Sequence, residues 1–232
     1  MKIAVAGTRG FPGIQGGVET HCCELYTRIA ARGVDVTVMC RRPYMSPDAG
    51  TAYRGVRLDT LYSPRRQSTE TIIHTFLAVV KARMAGADII HLHACGPALM
   101  APIARLLGMK VVTTLHGHDY NRAKWGRIAR LALRLGERAA MLTSNAVISI
   151  SGPITESLTS RYGSHRRLLT IPNGVNPPDA GASDPQWISS LGLKPRRYVV
   201  AVGRLVPEKG LHTLIETAPA LREAGLRIVV AG

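Results

Sequence analysis

The sequence predicts an α/β fold built on a doubly wound, mostly parallel sheet. Two observations carry that expectation. Short apolar strands alternate with longer stretches of helical periodicity along nearly the whole chain, the order that places crossover helices between parallel strands. The strands also run apolar without a polar alternation, which fits a sheet covered on both faces.

In chain order, KIAVAG (2–7) and VDVTVMC (34–40) are strands, and a helix spans about 18–32 between them. A weaker strand, RGVRLDTLY (54–62), precedes a helix at about 69–85. DIIHLH (88–93) and KVVTTLH (110–116) are strands separated by a helix at about 97–107. A helix at about 123–142 leads to the strand AVISIS (146–151), a helix at about 153–161, and the strand LLTIP (168–172). The segment PNGVNPPDAGASDP (172–185) is rich in Pro, Gly, Asn and Asp and reads as a linker. Beyond it, YVVAVG (198–203), a helix at about 208–223 and RIVVAG (227–232) echo the first strand–turn–helix–strand unit. The expected organisation is a complete Rossmann-like domain over 1–172, a linker over 173–185, and the first βαβ unit of a second Rossmann-like domain over 186–232.

The chain has 232 residues and 46% apolar composition, enough to bury a core. No run of 18 apolar residues predicts a transmembrane helix, and the first residues enter a strand without a signal-peptide pattern, so a cytoplasmic location is expected. Cys22, Cys23, Cys40 and Cys95 form no C-x-x-C pair and are expected as reduced thiols. The net charge is +15, and residues 1–172 carry 23 of the 30 Lys and Arg but 10 of the 15 Asp and Glu. That part should attract an anion: a phosphate-bearing substrate or an acidic membrane leaflet. Nucleic acid is not expected, because 5% aromatic residues supply few stacking platforms.

Four features carry chemistry. The first turn is GTRGFPGIQGGVETH, where Gly16 and Gly17 immediately precede a helix whose free N–H groups favour an anion. Its G-x-x-G-x-x-G spacing is not the dinucleotide fingerprint, and the second strand ends in Cys40-Arg41-Arg42 without an acidic residue. An NADP-binding enzyme, with Arg41 and Arg42 on a 2′-phosphate, is therefore a minor alternative. Second, His91 and His93 share one face of a strand, and His116, His118 and Asp119 follow the next. If those strands are neighbours, all five groups meet at one end of the sheet. A metal-dependent hydrolase is one reading of that cluster; donors and acceptors for sugar hydroxyls, from His93, His116 and Asp119, is the preferred one. Third, Ile128, Leu131, Leu135, Ala139 and Leu142 repeat at helical spacing as a core stripe, while Arg127, Arg130, Arg134 and Arg138 line an adjoining face suited to an anionic membrane. Fourth, in GRLVPEKG, Arg204 offers a planar fork and Lys209 a point charge to phosphate oxygens.

Together these segments resemble the retaining glycosyltransferases of family 4, which have the GT-B fold, and in particular the bacterial members that build surface polysaccharide. GTRGFPGIQGGVETH resembles their glycine-rich first loop, VVTTLHGHD their T-x-H-G/D segment, and SGPITESL the end of their first domain. IPNGV resembles their entry into the second domain, and GRLVPEKG their G-R-x(4)-K-G donor-phosphate motif. The resemblance implies sugar transfer from a UDP- or GDP-linked donor to a glycan or lipid-linked acceptor, with retention by front-face attack and no metal. It implies His116 beside the anomeric carbon, and Gly16, Gly17, Arg204 and Lys209 on the donor phosphates. Glu19, His21, His93, His118 and Asp119 are weaker candidates for acceptor or sugar contacts. The family's E-x(7)-E motif is expected beyond Gly232: Glu208 and Glu216 have its spacing but lie too early. The resemblance thus implies a form truncated within the second domain, located in the cytoplasm or on the inner leaflet of the membrane. A non-catalytic module that binds an anionic membrane or a partner is the alternative reading.

Overall fold

A computed structural model describes every residue except 67–68, 122–124, 165–166, 178–184 and 204. These form two compact units, Met1–Gly174 and Val175–Gly232.

The first unit is an eight-stranded sheet flanked by helices. Its strands are β1 (Lys2–Ala6), β2 (Asp35–Arg41), β3 (Ala52–Tyr53), β4 (Val56–Leu61), β5 (Ile89–His93), β6 (Lys110–Leu115), β7 (Ala146–Ser149) and β8 (Leu168–Thr170). They lie in the order β3-β4-β2-β1-β5-β6-β7-β8. Every pairing is parallel except the β3–β4 hairpin. The helices are α1 (Gly17–Ala30), α2 (Glu70–Met84), α3 (Cys95–Ala98), α4 (Ala101–Leu106), α5 (Arg127–Thr143) and α6 (Gly152–Tyr162). Among the described residues, no helix is long and apolar enough to cross a membrane.

The alternation of side chains along β1 explains why both faces are covered. Val5 joins a core with Cys22, Tyr26, Val36, Val38 and Cys40 under α1. Ala4 and Ala6 join a core on the opposite side with Ile90, Leu92, Ala78, Val79, Ala101 and Ala104. A third cluster packs Leu115 and Val147 against Ala140 and Met141 of α5 and Leu158 of α6. The chain runs from β1 out to β2 and β4, then returns through α2 to β5 on the other side of β1. The order of strands therefore reverses between β1 and β5, and ligands in such sheets bind at the carboxyl ends of the strands there. Gly7 stands at that point with φ +106, and a Cβ on it would overlap the His93 carbonyl. Only glycine lets β1 end so close to β5.

Several expected elements are divided. The helix expected at 97–107 is two helices, α3 and α4, with Pro102 at the start of α4. The strand expected at 54–62 forms as β4, and the short β3 before it makes a hairpin with it where Arg54 and Gly55 take positive φ. The apolar stripe expected to be core on α5 is not. Ile128 is 86% exposed, Leu131 59%, Leu135 48% and Leu142 55%. The buried positions of this helix are Gly136, Glu137, Ala140 and Met141. A Cβ on Gly136 would overlap the Cys95 carbonyl, so α5 approaches α3 through Gly136, with Leu133 packed beside it, and not through the exposed leucine row.

The second unit contains α7 (Pro185–Ser190), which the sequence did not suggest, then β9 (Tyr198–Val202), α8 (Leu211–Glu216), α9 (Ala218–Glu223) and β10 (Arg227–Ala231). β9 and β10 pair in parallel, as the expected βαβ unit requires. The helix expected at 208–223 is broken before Pro219, which sits in the first turn of α9. No described residue of this unit is buried.

Candidate functional site

The glycine-rich loop leaves β1 and is clamped by one carboxylate. Glu19, in the first turn of α1, is 6% exposed. It accepts hydrogen bonds from the Arg9 main-chain N–H at 3.2 Å and from Arg9 Nε and Nη2 at 3.0 and 3.2 Å. Arg9 Nη2 also donates to the Gln15 carbonyl at 2.7 Å. Burial pushes the Glu19 carboxyl up, but the Arg9 hydrogen bond and charge outweigh it, and the net shift is downward. A Cβ at Gly16 would overlap the Glu19 carboxylate, so the clamp and Gly16 are matched. At Gly17, at the start of α1, a Cβ would meet nothing within 4 Å. The open backbone at Gly17 faces free space while Glu19 is occupied with Arg9. Arg9, which the sequence did not single out, is the partner that organises this loop.

Behind the loop lies a chain of hydrogen bonds among buried rings. β5 and β6 are neighbours, with His93 in register with Thr114. His91 and His93 stack at 4.4 Å between ring centroids. Tyr26 of α1 bridges them, its hydroxyl 2.8 Å from His91 Nδ1 and 2.6 Å from His93 Nε2. His91 Nε2 is 2.7 Å from Thr114 Oγ1. His93 Nδ1 is 3.0 Å from His116 Nε2. The result is a continuous line: Thr114, His91, Tyr26, His93, His116. His21 of α1 packs edge-on against His93 and His116 at 5.7 and 5.3 Å.

Burial holds these imidazoles neutral. It pushes His91 down to about 3 and His116 down to about 4, and lowers His93 and His21 as well. A line of neutral rings has two self-consistent polarities, because each ring donates at one nitrogen and accepts at the other. If Tyr26 donates to His91, then His93 donates to Tyr26 and His116 donates to His93 from Nε2. His116 Nδ1 is then a bare acceptor. If Tyr26 donates to His93, every bond reverses and His116 Nδ1 carries the proton. The state of one hydroxyl thus sets what His116 presents at its free nitrogen.

The ring nitrogens of His21, His93 and His116 lie within 4.8 Å of one another, a spacing open to a metal ion. The 3.0 Å contact between His93 Nδ1 and His116 Nε2 is, however, a hydrogen bond. A metal bound there would have to displace the proton shared by those two nitrogens.

The expected meeting of five groups is corrected in part. His118 and Asp119 follow β6 but do not join the line. His118 Nδ1 is 3.0 Å from the Tyr120 hydroxyl and 3.6 Å from Glu137 Oε2. Glu137, 1% exposed on α5, accepts from Arg161 at 2.6 Å and from the Tyr162 hydroxyl at 3.0 Å. The reason is local: Gly117, at φ +148, redirects the chain away from α1 toward α5 and α6. Asp119 instead borders a half-open pocket of about 180 Å³ with Gly7, Arg41, Ile72, Trp125 and Leu133. Its walls are apolar and its two charged members are Arg41 and Asp119. Arg41 is buried and donates from Nη1 to Glu70 at 2.8 Å. That pairing engages one nitrogen of Arg41, the first of the two arginines in the NADP reading; Arg42 is exposed.

In the second unit, Lys209 closes a 3-10 turn, Pro207–Lys209, before Gly210 at φ 64. Its side-chain stem lies over Gly203, at the carboxyl end of β9, with Lys209 Cε 3.8 Å from where a Gly203 Cβ would stand. Arg204 lies outside the described residues.

Comparison with known proteins places this arrangement. The chain is 29% identical over 97% of its length to a GDP-mannose-dependent α-(1-6)-phosphatidylinositol monomannoside mannosyltransferase from Mycolicibacterium smegmatis. It is 26% identical over its full length to a glycogen synthase from Mycobacterium tuberculosis. It spans about 60% of the length of these curated relatives. Its fold is similar to that of sucrose-phosphate synthase from Thermosynechococcus elongatus, with a TM-score of 0.74 at 23% identity over all of this chain and 62% of that one. It is also similar to Anabaena HepE in complex with UDP and glucose, with a TM-score of 0.70 at 19% identity over all of this chain and 62% of that one. Both neighbours place the chain in the α/β, GT-B class expected from the sequence. The model of Glycosyltransferase Family 4 matches residues 15–178, most of the chain, and the chain belongs to that family.

Proposed function

We propose that this chain is the acceptor-side domain (1–172), a linker (173–185) and the first βαβ unit of the nucleotide-sugar domain (186–232) of a retaining glycosyltransferase. It moves a sugar from a UDP- or GDP-linked donor to a glycan or lipid-linked acceptor in surface-polysaccharide synthesis. The observation that carries this reading is the junction of Gly17, the clamped loop and the His116 line at the carboxyl ends of β1, β5 and β6. An open helix start suits a donor phosphate. A neutral imidazole beside it suits a sugar hydroxyl, donating or accepting without a net charge. Lys209, with Arg204, supplies positive charge to the diphosphate as it leaves. The apolar pocket beside Asp119 suits an acceptor with an apolar portion. This reading needs no metal: the diphosphate charge is met by the helix start and the basic side chains. The surplus of basic residues draws the protein to an anionic membrane on its cytoplasmic side, with Arg127, Arg130, Arg134 and Arg138 turned outward.

Calorimetry with UDP, GDP and NADP tests the reading. UDP or GDP should bind, and Lys209→Ala should abolish the heat. The dissociation constant should be weaker than about 0.1 mM, because a unit without buried residues holds its loops loosely. NADP binding tighter than either diphosphate, or heats unchanged in Lys209→Ala, would overturn it.

A further inference from the structure

The outward face of α5 is the part of the first unit that the site does not use. Two rows run along it. Ile128, Leu131 and Leu135 stand exposed, with Leu142 in line a further two turns on. Beside them, Arg127, Arg130, Arg134 and Arg138 are exposed as well. Among the described residues, Arg127, Arg130 and Arg138 make no ion pair, and Arg134 lies over the Tyr120 ring at 5.4 Å. Core packing accounts for neither row, because α5 meets the sheet and α3 through Gly136, Ala140 and Met141. The inner edge of the same helix, at Ala129, Ala132 and Leu133, walls the pocket beside Asp119. Ile72 of α2 also lines that pocket, and Ile73 and Phe76 of the same helix are 38% and 45% exposed.

We infer that α5 lies in the plane of an anionic bilayer, its leucine row sunk into the headgroup–acyl boundary and its arginine row on lipid phosphates. The occupant follows from the pairing of the two rows. An apolar row alone fits any apolar partner, and a cationic row alone fits any anion. A long apolar row with a parallel cationic row at one edge, on one 17-residue helix, matches the layered chemistry of a membrane interface. The mouth of the pocket then opens beside the lipid surface, so an amphiphilic acceptor reaches Asp119 without leaving the membrane. This deepens the membrane reading given above, which invoked the arginines alone, and it rests on that reading only for the identity of the acceptor.

The test uses the whole 232-residue chain and vesicles of phosphatidylcholine with or without one-third phosphatidylglycerol, by co-sedimentation at low and high salt. The wild type should bind the anionic vesicles and retain part of that binding at high salt, since inserted side chains are not screened. Ile128→Gln/Leu131→Gln/Leu135→Gln, all at exposed positions, should keep the thermal stability of the wild type. It should lose binding by at least about tenfold and lose all of its high-salt component. Arg127→Gln/Arg130→Gln/Arg138→Gln should lose about fivefold per arginine at low salt. Leu131→Trp fluorescence should shift to the blue on vesicles. Unchanged binding in the glutamine triple variant, with no blue shift, would overturn insertion while leaving electrostatic attraction in place. A wild type that ignores vesicles but self-associates, and whose self-association the glutamines abolish, would overturn the membrane as occupant. Neither outcome touches donor binding, which calorimetry reads separately.

Discussion

Tyr26→Phe removes a single oxygen from the centre of the buried line. The phenyl ring keeps the packing against Val5, Val36 and Val38, so the change tests the hydroxyl alone. That hydroxyl contacts His91 Nδ1 and His93 Nε2, and both rings are buried. Without it, two imidazole nitrogens lose their partners in a place water does not reach. An orphaned buried polar group costs about 1–3 kcal/mol, so the pair costs roughly 2–5 kcal/mol. For a chain of this size that lowers the melting temperature by about 5–15 °C. Urea unfolding of the wild type, Tyr26→Phe and Tyr162→Phe provides the measure. Tyr162 is only half-buried and donates to a carboxylate that Arg161 also serves. The same substitution there should cost no more than about 1.5 kcal/mol. Imidazole nitrogen NMR gives the second measure. In the wild type, His91, His93 and His116 should each hold one tautomer. In Tyr26→Phe, His116 should become a mixture, because nothing then ties its polarity to His91. A cost below about 0.5 kcal/mol, or an unchanged His116 tautomer, would refute the view that the five groups act as one line.

The remaining predictions concern acid lability, a buried ion pair and the second unit. Burial lowers His74, His91 and His116 from 6.5 to about 4, 3 and 4. The unfolded chain therefore binds more protons below pH 6.5, and stability is full above that value and lost as pH falls toward 4. Each of these histidines costs about 1.4 kcal/mol per pH unit within its window, so a plot of unfolding free energy against pH should steepen between 6.5 and 4 and flatten above 7. Glu70→Ala strands the buried Arg41 guanidinium and should cost about 3–5 kcal/mol. Arg41→Met/Glu70→Leu should recover most of that loss, whereas additive costs in a double-mutant cycle would show the pair uncoupled. In the second unit, amide exchange in β9 and β10 should run orders of magnitude faster than in β1 and β5, because no described residue there is buried.

What the sequence revealed about this fold was what depends on near neighbours. Short runs rich in apolar residues at KIAVAG and DIIHLH marked strands, and β1 and β5 form there. His91 and His93, two apart on such a strand, had to share a face. What was not readable depends on distant partners. Tyr26 meets residues 65 and 67 positions away, and nothing near it in sequence marks that role. Arg9 and Glu19 form the loop clamp, but a sequence offers many such pairs at that range. The α5 stripe misled for a different reason. Helical periodicity shows that a face is apolar, not that it faces inward. Here the inward face is built from Gly136 and Ala140, whose small size lets α5 lie against α3, and periodicity gives small residues little weight. Proline breaks within α3–α4 and α8–α9 were visible as residues, yet their consequence was set by how each half packs.

The central claim is that the carboxyl end of this sheet receives a nucleotide sugar through the loop at Gly16 and Gly17, beside His116. Chemical-shift mapping of the 232-residue chain with UDP-glucose, and then GDP-mannose, tests it most directly. With one of the two donors, the amides of Gly16 and Gly17 and the His116 ring should shift together, saturating along one binding curve. His118 and Glu137, turned to the other side of β6, should stay still. Shifts confined to other surfaces with both donors, with Gly16, Gly17 and His116 unmoved at saturation, would contradict the account.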